Sequence, residues 1–142
     1  MGNWLCIVNK TNWPIVEKTQ SWGVRDRHAE VLKQVRKGDS LVFYVTGRFA
    51  VPAIYEVLGA PFESSERVFE PAGFQHGDMF PHRVRIREKL VPRQAVDFRG
   101  LVPALDLFPK KQAWNMVLRG KAMLPLSDRD YETIREKLAR ST

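Results

Sequence analysis

The chain has 142 residues, 44% of them apolar and 27% charged, with a formal net charge of +7 at pH 7. That length suits one domain over 1–142 with a sizeable core, and the composition is that of a soluble globular protein. A single cysteine, Cys6, excludes a disulfide framework within the chain, and no apolar run approaches the ~20 residues that span a bilayer.

The elements follow in order. Trp4-Leu5-Cys6-Ile7-Val8 is a short continuous apolar run, the pattern of a strand buried on both faces. Asn9 to Asn12 breaks it. Thr11 or Asn12 can cap a helix running to about Thr19, with Pro14 tolerated in the first turn because its missing N–H would be unpaired there. Ser21-Trp22-Gly23-Val24 has turn chemistry. Asp26 is placed to cap a second helix with Val31, Leu32 and Val35 on one face, stopped at Lys37-Gly38-Asp39. Leu41 to Val45 is a second doubly buried strand, Gly47 turns the chain, and Val51 to Leu58 returns as a third strand with Pro52 near its start.

Gly59 to Pro81 is the least regular stretch, with a short strand expected around Val68-Phe69. Arg83-Val84-Arg85-Ile86-Arg87 alternates strictly, which predicts a half-buried strand with its arginines outward. A short helix is expected near Leu101–Leu105, and a last strand over Trp114–Leu118. Ser127-Asp128-Arg129-Asp130 has the form of a capping box, followed by a helical stripe of Tyr131, Ile134 and Leu138. Short strands outnumber helices, so the pattern predicts an α+β chain: a small curved sheet or barrel with flanking helices.

The charge is unevenly placed. Between Arg83 and Lys121 there are ten Lys or Arg and three Asp or Glu, whereas the rest holds thirteen of each sign. The whole excess therefore lies in one stretch, which suggests a basic face and a polyanionic partner. Aromatics are interleaved with it. Trp22 precedes a glycine, Phe69, Phe74 and Phe80 punctuate the irregular loop, and Trp114 follows Lys110-Lys111. Flat rings beside cations can sandwich a base while holding its phosphate.

Catalytic constellations are sparse. His76, Asp78 and His82 are ligand-capable types without a zinc spacing, so no metal and no cofactor is expected. Cys6, between apolar neighbours, fits a structural thiol. Glu56, on an otherwise apolar strand, is the candidate general base, with an ion pair to an arginine such as Arg48 as its alternative role. Gly73-Phe74-Gln75-His76-Gly77 lacks the lysine of a phosphate loop.

Taken in sequence, several segments resemble a known family. Asn3-Trp4-Leu5-Cys6-Ile7-Val8-Asn9, Trp22-Gly23-Val24 with Arg25-Asp26-Arg27-His28, and Lys37-Gly38-Asp39-x-Leu41-Val42-x-Tyr44-Val45 are similar to the first half of EVE-domain proteins. Ile54-Tyr55-Glu56-Val57, Phe80-Pro81-His82-Arg83-Val84-Arg85-Ile86 and Trp114-x-x-x-Leu118-Arg119-Gly120-Lys121-Ala122-Met123 are similar to the rest. The resemblance implies a PUA-like fold, a small curved mixed β-barrel with short flanking helices. It also implies kinship with YTH domains, which hold a methylated adenine in an aromatic cage. By position, Trp22 would be the first cage wall and Asn3 a polar residue near the base edge; Phe69, Phe74 or Phe80 would supply the second wall. Where the YTH relatives use tryptophan there, this sequence offers phenylalanine, and it has Gly23-Val24 in place of a small polar pair.

The expected function is a non-enzymatic, cytoplasmic module that recognises a modified base in RNA or DNA. Trp22 and a loop phenylalanine would form the walls, Asn3 and backbone groups of Gly23 and Val24 would bond the base edge, and Arg25, Arg27, Lys111, Arg119 and Lys121 would hold the phosphates. Two alternatives stand beside it. One is an amidohydrolase like those of the ASCH domains, acting on a modified nucleoside through Glu56. The other is a small-ligand or protein-interaction module.

Overall fold

The computed structural model describes residues 2–65 and 80–142. Among these residues eight strands form one mixed sheet: β1 (Asn3–Asn9), β2 (Ser21–Val24), β3 (Ser40–Thr46), β4 (Ala50–Val57), β5 (Phe62–Glu63), β6 (His82–Leu90), β7 (Val96–Asp97) and β8 (Met123–Leu126). The main path runs β2-β6-β4-β3-β1-β8, with β5 beside β6 and β7 beside β4. The central pair β1·β3 is parallel and every other pairing antiparallel. Register shifts between Phe43 and Val45 and between Ile54 and Tyr55 mark bulges in β3·β4 and β4·β6. Bulges bend a sheet and increase its twist, and here the sheet curls into a half-barrel.

The doubly apolar reading of β1 and β3 follows from where they lie. They occupy the middle of the sheet, and each face carries its own core. Trp4, Cys6, Val8, Leu41 and Phe43 point to one side, packed with Trp13, Val16, Leu32 and Tyr55. Leu5, Val42 and Tyr44 point to the other, packed with Phe98, Leu105, Phe108, Ile134 and Leu138. Cys6 is fully buried, and burial pushes its thiol well above the ordinary range, so it packs as a small hydrophobe.

Helix α1 (Trp13–Thr19) begins after Asn12, with Pro14 in its first turn as expected. The side chain that serves its start is Asn9, whose Oδ1 accepts from the Asn12 N–H at 2.7 Å. Asp26 opens a 3₁₀ turn (Asp26–His28) and a one-turn helix α2 (Ala29–Leu32); its carboxylate lies 2.7 Å from His82 Nε2 and does not cap the helix. Helix α4 (Asp128–Arg140) is capped by Ser127 Oγ, which accepts from Asp130 N at 3.1 Å. The capping box is not reciprocal. Asp130, 2% exposed, reaches outward to accept from the N–H groups of Asp106 and Leu107 at 2.8 and 2.9 Å.

Four expectations are corrected. Ser21–Val24 is a strand, because β6 offers it a ladder that a glycine does not prevent. Trp114–Leu118 is a short helix, α3, and the last strand is β8, where Pro125 is tolerated because β8 ends the sheet path. The expected helix at Leu101–Leu105 is a 3₁₀ turn over Val102–Ala104. Arg83 does not face solvent: at 4% exposure its Nε donates to Phe80 O at 2.8 Å and an Nη to Ser64 Oγ at 3.2 Å. The strand expected at Val68-Phe69 lies outside the described residues, and among those described no helix is long and apolar enough to cross a membrane.

Candidate functional site

Trp22 reaches its place through a sharp exit from α1. Gln20 takes the left-handed conformation, φ 52°, and its N–H donates to Val16 O at 2.9 Å while its C=O accepts from Ile86 N at 3.0 Å. The chain therefore turns straight from helix into β2, antiparallel to β6, with Trp22 opposite Val84 and Gly23 opposite Arg83. The indole is 4% exposed, so it is a core residue and not an open platform. It meets Phe43 edge-on, ring centroids 5.4 Å apart and planes at 80°.

Beside this ring lies a cavity of about 60 Å³, lined by Ile7, Val8, Asn9, Asn12, Trp22, Gly23 and Phe80. By volume it holds about two waters. Trp22 itself carries an anomaly: its buried Nε1 has no hydrogen-bond partner among the described residues. Leaving such a donor unsatisfied costs about 1–3 kcal/mol. Trp4, on β1, shows the contrasting case. Its Nε1 donates to Asp39 Oδ2 at 3.0 Å, and the same carboxylate accepts from Gly2 N and Arg36 N.

Phe80 forms the opposite wall. It is only partly buried, and the Arg25 guanidinium carbon lies 5.1 Å from its ring centroid. Of the three candidate loop phenylalanines, Phe80 is thus the one found beside Trp22; Phe69 and Phe74 lie outside the described residues. Two other candidates are not brought to the cavity. Asn3 stands at the opposite end of β1, about 20 Å from Asn9 by strand rise, and its Nδ2 donates to Asp128 Oδ1 at 2.8 Å. Val24, 1% exposed, packs in the core and does not line the cavity. The amide side chains that do line it are Asn9 and Asn12, which in the sequence mark only the break after β1 and the start of a helix.

The cations divide as well. Arg25 and Arg27 flank the cavity strand, with Arg27 exposed. Lys111 is committed elsewhere, its Nζ donating to Leu105 O at 2.6 Å. Arg119 and Lys121 are exposed and line a different cleft. Lys121 nonetheless belongs to the same electrostatic group. His28 is held below its ordinary pKa first by burial and then by Arg27, Arg25 and Lys121. Arg85 stacks over Phe62 at 5.1 Å, and Arg87 binds Glu56, Nη2 to Oε1 at 2.7 Å. Glu56 is therefore ion-paired, with Arg87 and not Arg48 as partner, and it lines neither cleft. Among the described residues no three His, Cys, Asp or Glu cluster as metal ligands, and His82 is engaged by Asp26 and, at 3.7 Å, Glu63; His76 and Asp78 lie outside the described residues.

Comparison with known proteins agrees with this architecture. A UPF0310 protein of Pyrococcus abyssi is 36% identical over 146 residues, covering 97% of this chain and all of that protein. One from Pyrococcus horikoshii is 35% identical over 148 residues, covering 97% and 99%. Among solved structures, human THYN1 in complex with 5-methylcytosine-containing DNA superposes with a TM-score of 0.66 at 13% identity, covering 96% of this chain and 97% of that one. The YTH domain of Zygosaccharomyces rouxii MRB1 in complex with N6-methyladenosine RNA superposes with a TM-score of 0.63 at 16% identity, covering 99% and 89%. The EVE domain model matches residues 2–137, and the chain belongs to the EVE-domain family.

Proposed function

We propose that this protein is a binding module that takes one unpaired, modified base of a nucleic acid into the cavity between Trp22 and Phe80, and that it performs no chemistry on it. The observation that carries this reading is the buried, partnerless indole N–H beside a cavity whose outer wall is a half-exposed ring. A donor without a protein partner in the free chain is suited to an acceptor that arrives with a ligand, and a base edge offers such acceptors. The free cavity is far below the roughly 300 Å³ at which small-ligand sites begin, so entry of a base requires Phe80 to swing outward. Its ring then closes over the base, with the Arg25 guanidinium beside it.

The fold relatives support the same reading, since THYN1 and the MRB1 YTH domain are both seen with methylated nucleic acid. A buried methyl group is worth about 0.8 kcal/mol, close to fourfold in affinity. Phosphate contacts from Arg25 and Arg27 offset the cost of unstacking the base.

The test is anisotropy titration with 5-methylcytosine DNA and N6-methyladenosine RNA strands, each against its unmodified counterpart. One modified strand is expected to bind about fourfold or more tighter, and Trp22→Phe or Phe80→Ala to bring that ratio to one. Equal binding of every strand by the parent protein, or a preference that survives Trp22→Phe, overturns the reading.

A further inference from the structure

A second and larger cleft, about 390 Å³, lies against the other core and shares Ile7 with the Trp22 cavity. That volume is within the range of small-ligand sites. Its wall is aromatic. Trp114 is partly exposed and held on several sides, with ring centroids of Phe98, Phe49, Phe108 and Tyr44 at 5.5, 6.2, 6.2 and 6.3 Å. Phe49 adopts φ 52°, a left-handed backbone that bulky residues rarely take and that concentrates at ligand-binding positions. The conformation is pinned from two sides: the Phe49 carbonyl accepts from Phe98 N at 2.7 Å, and the Arg99 guanidinium stands 4.3 Å over its ring.

The rim is cationic. Arg119 and Lys121 flank Gly120, whose φ of 75° turns the chain so that both neighbours border the opening. Both side chains are exposed, and neither forms an ion pair among the described residues. Among the described residues no carboxylate lines the cleft. A rigid indole beside two uncompensated cations is the complement of a planar ring carrying a phosphate.

We propose that this cleft is a second nucleotide site, in which an unpaired base lies against Trp114 and its phosphate on Arg119 and Lys121. The nucleotide belongs to the strand whose modified base enters at Trp22, and in naming that source the proposal rests on the function given above. Two observations join the sites: Ile7 lines both cavities, and Lys121 acts on His28 together with Arg25 and Arg27. A free mononucleotide offers the same chemistry and is the other source the test must separate.

The test follows amide and indole resonances of the full chain by NMR during titration with adenosine 5′-monophosphate, adenosine, or inorganic phosphate. It then uses single strands of two and eight nucleotides carrying the modified base at one end. The monophosphate is expected to shift the Gly120 amide and the Trp114 indole N–H more than either half-ligand does. Lengthening the strand from two to eight nucleotides is expected to tighten binding about tenfold. Asn115→Trp, which fills the cleft from an exposed position, should abolish both effects and leave the ratio of modified to plain strand unchanged. Unmoved Trp114 and Gly120 resonances with both the monophosphate and the longer strand, or a length gain that survives Asn115→Trp, overturn the proposal. Shifts with the monophosphate but no strand preference at all would refute the Trp22 reading and with it the shared-strand assignment, and would leave the cleft as a free-nucleotide site.

Discussion

Trp22 and Phe43 meet edge to face, their centroids 5.4 Å apart and their planes at 80°. The contact fixes the indole from the core side, so one wall of the cavity is rigid before any ligand arrives. Trp13 and Tyr55 continue the cluster, Trp13 at 5.2 Å from Phe43 and Tyr55 at 5.4 Å from it. Edge-to-face pairs add about 0.5–1.5 kcal/mol each beyond their buried area. The cavity is thus asymmetric, with a buried wall at Trp22 and a partly exposed one at Phe80.

Trp22→Phe keeps an aromatic ring against Phe43 and removes the partnerless N–H. Relief of the orphan donor, about 1–3 kcal/mol, offsets the smaller ring's lost packing. Stability is therefore expected within about 1 kcal/mol of the parent, measured by urea denaturation, whereas Trp22→Ala should cost about 3–5 kcal/mol. A loss near the alanine value for Trp22→Phe would mean that the indole N–H is satisfied in the folded protein.

Asp39 is the opposite case. Its carboxylate, 3% exposed, accepts from Gly2 N at 2.8 Å, Trp4 Nε1 at 3.0 Å and Arg36 N at 3.0 Å. Asp39→Ala strands three donors around the start of β1 and is expected to cost about 3 kcal/mol or more. Asp39→Asn keeps one acceptor oxygen and should lose less. Equal stability of Asp39→Ala and the parent in the same denaturation experiment would show that this carboxylate does not hold the strand.

Much of this was legible because the physics is local. β1 and β3 announce themselves by apolar runs that only a doubly covered strand needs, and β6 by strict alternation. What was not legible depends on partners distant in sequence. Ser21–Val24 looks like a turn until β6 is placed beside it, and Arg83 looks exposed until Ser64 and the Phe80 carbonyl are brought to it. Asn3 and Asn9 are equivalent in composition, and only the assembled sheet shows which end of β1 reaches the cavity. Trp114 was recognised as an aromatic among cations, but its groove needed Phe49, and no local pattern announces a phenylalanine in the left-handed region.

Arg27 gives a prediction about salt. It is exposed beside the cavity strand, and if it contacts one phosphate it releases about 0.7 counterion from a single strand. Arg27→Ala should weaken modified and plain strands by the same factor and reduce the slope of log affinity against log salt by about that amount. Lys111→Ala should leave the slope unchanged, because its Nζ is bound to the Leu105 carbonyl. A slope that responds to Lys111 and ignores Arg27 would relocate the strand's path.

His28 gives a prediction about pH. Its pKa lies below the ordinary 6.5 because burial disfavours the imidazolium and because Arg27, Arg25 and Lys121 repel it; Asp26, the adjacent acid, is turned toward His82. In the free protein a lowered folded pKa means that the unfolded chain binds the proton more readily. The associated stability is therefore full above about pH 6.5 and is lost as pH falls through the folded value. A phosphate held among the three cations removes part of their repulsion and raises the pKa again, leaving the burial effect in place. Binding then takes up a proton in the window below about 6.5, and affinity rises as pH falls from 7.5 to 5.5 while stability declines. His28→Gln is expected to flatten the affinity profile and to remove its share of the acid destabilisation, with titrations and denaturation run at both pH values. An affinity gain at low pH that persists in His28→Gln would assign the proton to another group and separate this cation cluster from the bound phosphate.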